Sequence, residues 1–202
     1  MTGNSAKVNL ALSELPNFAA LPGDGPEYLE RAFDDYRAGR WSSEPLINVV
    51  IPSTLDDSLA PPGKHMMSIA ARFAPYRPAA GPWDDEMREA FGDTVIQTLA
   101  VYAPNLPGSI LHRQVLTPLD FEEIYGMTGW SIVHGDMAPD QLFSMRPVPG
   151  WAGYRSPVAG MYLCGSGAHP GGAVMGAPGR NAARVIVRDA RGHRRRRMGA
   201  PG

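Results

Sequence analysis

A short apolar run, a glycine-dense turn and a helical run follow one another between Met161 and Ala183, in the string MYLCGSGAHPGGAVMGAPGRNAA. The spacing predicts a short buried strand at Met161–Cys164 and a turn through Gly165-Ser166-Gly167 and Pro170-Gly171-Gly172. A helix from about Gly172 to Ala190 then follows, its first turn being Ala173-Val174-Met175-Gly176. Glycine lets backbone amides come close to a ligand because no Cβ intervenes. The amides of a first helical turn have no partner inside the helix and sit at the positive end of its dipole. Such a unit suits a phosphate or an electron-rich ring oxygen. It suits a purely structural turn as well, and the residue pattern leaves the two open. It is neither the dinucleotide fingerprint G-x-G-x-x-G after an N-terminal strand nor the phosphate loop G-x-x-x-x-G-K-[ST].

Lys7–Leu12 alternates polar and apolar residues, the period of a half-buried strand. Pro26–Arg37 (PEYLERAFDDYR) reads as a helix with Pro in its first turn, Leu29, Phe33 and Tyr36 on one face, and Gly39 ending it. Leu46–Ile51 and Met66–Phe73 are β-like runs separated by a Pro/Asp/Gly loop, so they are expected as neighbouring strands. Asp84–Tyr102 carries Met87, Phe91, Val95 and Leu99 at helical spacing, and Pro104 closes it. Ile110–Leu116 is a further strand, and Pro118–Tyr125 a short helix capped by Thr117. From Gly126 to Gly160 the pattern dissolves into Gly, Pro and Trp. Arg191–Gly202 is expected to be a disordered basic tail. Gly and Pro reach 43 of 202 residues, which predicts short elements and long connections.

Charge separates what the chain can bind. Seven of the 19 basic residues lie between Arg184 and Arg197 with Asp189 as the only acid there, leaving the remainder at −7. That excludes a nucleic-acid-binding body, which needs a basic face. The single cysteine, Cys164, excludes an internal disulfide and a CxxC pair. The five histidines (His65, His112, His134, His169, His193) show no metal spacing, so no metal site is expected. With no basic-then-apolar leader and no transmembrane run, a soluble, reducing, cytoplasmic setting is expected.

The string LCGSGAHPGGAVMGAPGRNAA resembles the C-terminal flavin-binding signature of phytoene desaturases and related amine-oxidase-like flavoproteins. The likeness extends through KVNLALSELP, IPSTLDDSLAPPGKHMMS, VYAPNLPGSI, LTPLDFEEIYG and DQLFSMRPVPG. The resemblance implies an α/β (α+β) fold, with FAD as cofactor and a small hydrophobic substrate. Residues 1–160 would be a mixed β-sheet substrate region with helices, residues 161–190 a strand–Gly turn–helix unit of an FAD-binding domain, and residues 191–202 a tail. It also implies oxidation of a C–H bond by hydride transfer to flavin. Gly165, Ser166 and Gly167 would face the ribityl-pyrophosphate region. Gly171, Gly172, Val174 and Met175 would bring backbone to the flavin pyrimidine edge, while His169 and Pro170 shape the turn. The ADP-binding glycines of the N-terminal Rossmann half are absent from this string. The chain is therefore expected to join a separate Rossmann segment, or to form a homo-oligomer. The alternatives are a non-catalytic remnant or interaction module that no longer binds FAD, and a truncated gene reading.

No acid or base is assigned to catalysis. His169 is either a proton shuttle or a hydrogen-bonding turn residue. His134 and Asp136 pair either as acid and base or as loop structure. Cys164 reads as a small core residue. Asp140–Arg146 either lines a substrate cavity or packs. Arg180 and Asn181 reach cofactor oxygens or hold surface and packing positions. Arg194–Arg197 contacts a polyanion or is a solvated tail.

Overall fold

The computed structural model describes residues 4–19, 26–131, 133–135, 137–172 and 174–198, with side chains up to Gly192. The chain divides into two compact units, one reaching Trp130 and the other beginning at Ser131, whereas the sequence reading places its boundary at 160. The α/β class holds: the described residues form a four-stranded sheet and five α-helices.

The N-terminal unit contains β1 (Ser5–Leu12), α1 (Pro26–Arg37), β2 (Ile47–Val50), β3 (His65–Arg72), α2 (Asp85–Tyr102), α3 (Leu106–Ser109), β4 (Ile110–Leu116) and α4 (Pro118–Tyr125). The strand order is β2-β3-β1-β4, and every pairing is antiparallel. Alternation along β1 puts Ala6, Val8, Leu10 and Leu12 into the core, as period two requires of a sheet with one covered face. Val8 lies opposite Ile69 on β3 and Val115 on β4, so the three meet on the same buried face. α2 brings Phe91, Val95 and Leu99 to that core at four-residue intervals. Full burial of such a side chain contributes about 1.5–3 kcal/mol each. Asp84 starts α2 by accepting the Met87 amide at 2.8 Å.

An aromatic cluster closes one end of this core. Trp41 and Trp83 stack with centroids 5.5 Å apart, and each meets Phe91 edge-on, at 5.7 and 5.8 Å. The Trp83 indole N–H donates to the Pro75 carbonyl at 3.0 Å, so its polar end is satisfied inside the core. α1 behaves less simply than its spacing suggests. Its buried residue is Ala32, while Leu29 and Phe33 stay nearly half exposed. Phe33 and Tyr36 instead group around Phe73 at the end of β3, at 5.6 and 6.1 Å.

α4 is fixed at both ends. Thr117 Oγ1 accepts the Asp120 amide, and the Asp120 carboxylate accepts from the Thr117 amide at 2.7 Å, a reciprocal capping box. At the other end Gly126 takes the left-handed conformation and its amide donates to the Glu122 carbonyl. Arg88 of α2 donates to the Asp120 carboxylate at 2.8 Å. Partial burial opposes ionisation of Asp120, but the Thr117 bonds and Arg88 outweigh it and hold its pKa below the usual value.

In the C-terminal unit three expectations are corrected. Met161–Cys164 is not a buried strand: its only ladder contact is an isolated bridge between Arg155 and Tyr162, Met161 is half exposed, and Cys164 is exposed rather than a core residue. No neighbouring strand among the described residues is there to bury it. α5 spans Ala177–Met198, five residues later than the expected start. Gly171, Gly172 and Gly176 all have positive φ (82°, 87° and 64°), which a right-handed helix cannot contain. Pro178 then occupies the first turn, where a missing N–H costs nothing. The helix also runs past Ala190 through most of the expected tail, because arginine is a good helix former and no proline intervenes. Residues 199–202 lie outside the described residues.

Two outcomes test this account. A Cβ built on Gly92 in α2 would lie 2.8 Å from Val115 Cγ2, a short branched core side chain that cannot swing aside. Gly92→Ala should therefore destabilise the protein by about 1–3 kcal/mol in denaturant unfolding despite alanine's better helix propensity, and Val115→Ala should relieve part of the loss. Asp120 is a carboxyl with a lowered folded-state pKa. Its contribution is present above its unfolded pKa and is lost as pH falls through the lowered folded value. Asp120→Asn should flatten that limb of the stability–pH curve and cost about 1 kcal/mol near neutrality.

Candidate functional site

The glycine-rich segment, residues 165–176, is held by a side chain that spacing alone does not single out. Arg146 is buried, 2% exposed, and is the one buried charged residue among those described. Its guanidinium donates to backbone carbonyls from three places: Val133 and His134 (3.0 Å to the latter), Gln141 (3.2 Å) and Ser166 (3.0 Å). Arginine alone among side chains offers five donors in a planar fan, so it can satisfy carbonyls arriving from several directions. The loop 133–146 and the glycine turn are thereby tied to one cation. Of Asp140–Arg146, the member that organises the region is thus the arginine; Phe143 is exposed and Met145 partly so. The one clue in the sequence is an arginine set between Met145 and Pro147 in a stretch poor in acids.

Gly171 has φ of +82°, and a Cβ there would lie 2.8 Å from Arg146 Nε, so glycine is required by both conformation and space. Its amide donates to the Ala168 carbonyl at 2.7 Å. Gly172 has φ of +87° and faces the Met175 methyl, 2.9 Å from where a Cβ would stand. Gly165 and Gly176 are different: no atom lies within 4 Å of their Cβ positions. Gly167 has only the His134 Cβ, at 3.8 Å. Val174 is fully exposed and Met175 about half exposed.

His169 and Pro170 sit between these glycines. The His169 carbonyl accepts from the Tyr154 hydroxyl at 2.9 Å, and that hydroxyl in turn accepts from Asn181 Nδ2 of α5 at 2.9 Å. Asn181 therefore has a positioning role within the chain, while Arg180 is exposed. His169 Nδ1 is a buried ring nitrogen with no hydrogen-bond partner, and the ring lies 6.5 Å from that of Phe143. A buried polar atom without a partner calls for a ligand or a water. Of the pair His134–Asp136, His134 gives its carbonyl to Arg146, and Asp136 lies outside the described residues. α5 is anchored to the 154–163 hairpin by Arg155, which grips Asp189 in a two-pronged ion pair (2.9 and 2.7 Å) joined by the Tyr162 hydroxyl at 2.9 Å.

A flavin fits part of this segment. The backbone at Gly165, Gly167 and Gly176 is approachable, and His169 Nδ1 is an unmatched polar atom. The Gly171 amide is already engaged and its open side is filled by Arg146, so that residue offers no donor. The start of α5 supplies the helix-terminus amides at Ala177 and Gly179 rather than at Val174–Gly176, and Ala173 of the expected first turn lies outside the described residues. Among the described residues, no group of three or more His, Cys, Asp or Glu is placed to hold a metal. No helix of the described residues is long and apolar enough to cross a membrane. In the N-terminal unit an apolar cleft of about 760 Å³ is lined by Phe18, Tyr28, Leu29, Val49, Leu99 and Tyr102.

The Arg146 account has a direct check. Arg146→Leu removes the shared donor from the part-buried Val133, His134, Gln141 and Ser166 carbonyls. Amide exchange followed by mass spectrometry should show faster exchange across residues 133–146 and 165–171, with α2 unaffected. Arg146→Lys should not restore protection, since an ammonium cannot span the same fan.

No protein-family profile matches the chain. Comparison with individual proteins does find relatives. The chain is 45% identical to pyridine nucleotide-disulfide oxidoreductase domain-containing protein 2 of Rattus norvegicus, over 91% of this chain and 35% of that protein. It is 30% identical to one of the subunits of the limonene dehydrogenase of Castellaniella defragrans, over 82% of this chain and 31% of the relative. It is 26% identical to 4,4'-diapophytoene desaturase of Staphylococcus aureus, over 70% and 30%. The chain spans about a third of the length of the curated relatives it matches. The resemblance to phytoene-desaturase-like oxidoreductases read from the sequence is therefore found again by direct comparison.

Proposed function

We propose that this chain is the C-terminal portion of an FAD-dependent oxidoreductase of the phytoene dehydrogenase type, acting with an N-terminal Rossmann segment to oxidise a substrate C–H bond by hydride transfer to flavin. The observation that carries the reading is the likeness itself, which runs through 91% of the chain to a relative named as an oxidoreductase and extends to a limonene dehydrogenase and a desaturase. The need for a second segment rests on two facts. The matched relatives are about three times as long, and the sequence carries no G-x-G-x-x-G dinucleotide turn.

In this reading Gly165, Ser166 and Gly167 hold the ribityl-pyrophosphate region by close backbone approach. Gly172, Val174 and Met175 border the pyrimidine edge. His169 Nδ1, buried and unmatched, offers one hydrogen bond to the ligand, and Pro170 fixes its peptide beside Gly171. Arg146 holds the turn open from behind by fixing the Ser166 carbonyl. When bound, FAD supplies the two-electron acceptor, and the protein groups orient it and exclude water. An apolar substrate suits the apolar lining of the N-terminal unit's cleft.

A second reading, a remnant that no longer binds FAD, is favoured by one observation: Arg146 and Met175 occupy the space beside Gly171 and Gly172. Gly165→Val separates the two. No neighbour lies within 4 Å of the Gly165 Cβ position, so the fold tolerates the added side chain while the ligand would meet it. With the Rossmann segment of a relative supplied in trans, the wild-type chain should take up FAD, seen as visible flavin absorbance retained through gel filtration. Gly165→Val should weaken that retention at least tenfold, about 1.4 kcal/mol. A colourless complex with the wild-type chain ends the enzyme reading in favour of the remnant.

A further inference from the structure

We propose that a cleft on the open face of the N-terminal sheet binds a long-chain carboxylate. The inference rests on that unit alone and is independent of flavin. Alternation along β1 sends Val8, Leu10 and Leu12 into the core and leaves Asn9 and Ala11 on the opposite face. Around Ala11 that face opens into a cleft of about 520 Å³, which shares no lining residue with the cleft beside Leu99 and Tyr102. A volume of that size admits one small amphiphile.

Side-chain size and one irregularity in the ladder shape this cleft. Ala11 stands between Met66 of β3 and His112 of β4, its partners in the two ladders. A methyl group flanked by two longer side chains leaves a depression along β1. The β1–β4 register shifts between Ala11 and Leu12, since Leu12 pairs with Ile110 and Leu111 is left out of the pairing. A bulge of this kind re-aims side chains, and here Leu111 and His112 are exposed in succession. Leu59 and Pro61, in the loop before β3, complete an apolar wall.

Charge at the rim selects the ligand. Lys64, His65 and His112 line the cleft, and its described lining residues include no acid, no arginine and no glycine. Lys64 has no ion-pair partner among the described residues. His65 is fixed at the edge, because the buried Ser53 hydroxyl lies 3.3 Å from its Nδ1 and accepts the Met66 amide at 3.1 Å. A plain hydrocarbon gains nothing from an ammonium, and a polyanion gains nothing from the apolar wall. A phosphate head calls for arginine forks or for unpaired amides at a helix start or glycine turn, and the lining residues supply none of these. A single negative charge on an acyl chain matches one lysine with imidazole donors beside it. The acyl chain lies over Ala11, between Met66 and Leu111, and the carboxylate meets Lys64.

The test titrates the full chain with cis-parinaric acid and follows displacement of its fluorescence. Palmitate should displace the probe, and hexadecanol should need at least about tenfold more, since it cannot pair with the ammonium. The shorter laurate should also need at least about tenfold more than palmitate. Lys64→Met should weaken palmitate about tenfold and leave hexadecanol unchanged. Ala11→Leu fills the depression at an exposed strand position and should abolish binding of both. The urea midpoint should be unchanged in the two variants. Failure of palmitate to displace the probe, equal displacement by palmitate and hexadecanol, or undiminished binding in Ala11→Leu overturns the proposal. So does tighter binding of lysophosphatidate than of palmitate, which would assign a phosphate head. Release of the probe by a stoichiometric amount of a relative's Rossmann segment also overturns it, and would make the cleft a seat for that segment.

Discussion

One buried cation organises the C-terminal unit. Arg146 takes carbonyls from Val133, His134, Gln141 and Ser166, segments with almost no regular secondary structure of their own. Backbone without helix or ladder partners must find donors elsewhere, and a guanidinium offers five of them in one planar fan. The course of residues 133–171 follows from that demand. Gly171 is glycine because the arginine lies against it, and Gly135 is glycine because its φ of +118° suits no other residue. The same contact sets the limits of the proposed flavin site, since it leaves Gly165–Gly167 approachable and closes the side next to Gly171.

The N-terminal unit is largely legible in the sequence. Period two in Lys7–Leu12, four-residue spacing through Phe91, Val95 and Leu99, and the Thr117 cap each report a local physical preference that the fold satisfies without conflict. Element bounds there agree to within a residue or two. The β2–β3 pairing is legible as two β-like runs across one loop, but the place of β1 between β3 and β4 is not, because it depends on long-range pairing that no local pattern encodes.

The C-terminal unit is legible in composition and misleading in detail. An apolar run at Met161–Cys164 looks like a strand, but a strand needs a neighbour, and the chain supplies only the bridge at Arg155. The helix starts later than its glycines suggest, because Gly171, Gly172 and Gly176 adopt conformations that a helix excludes. Arginines near a chain end look like a solvated tail, although their helix propensity and the absence of proline favour continuation of α5. The role of Arg146 is hidden for a further reason: what it binds is backbone, which leaves no signature in side-chain spacing.

The position of β1 has a kinetic meaning. It precedes the other three strands along the chain, yet it lies inside the sheet, between β3 and β4, both of which come later. β2 and β3 can zip together as a local hairpin, but β1 must wait for partners whose pairing closes long loops. As the polypeptide emerges from a ribosome, β1 therefore remains without a completed sheet until residue 116 has been made. During that interval Val8, Leu10 and Leu12 have β3 beside them but lack the second neighbour that β4 supplies, an incompleteness that belongs to the order of assembly and leaves no trace in the finished core.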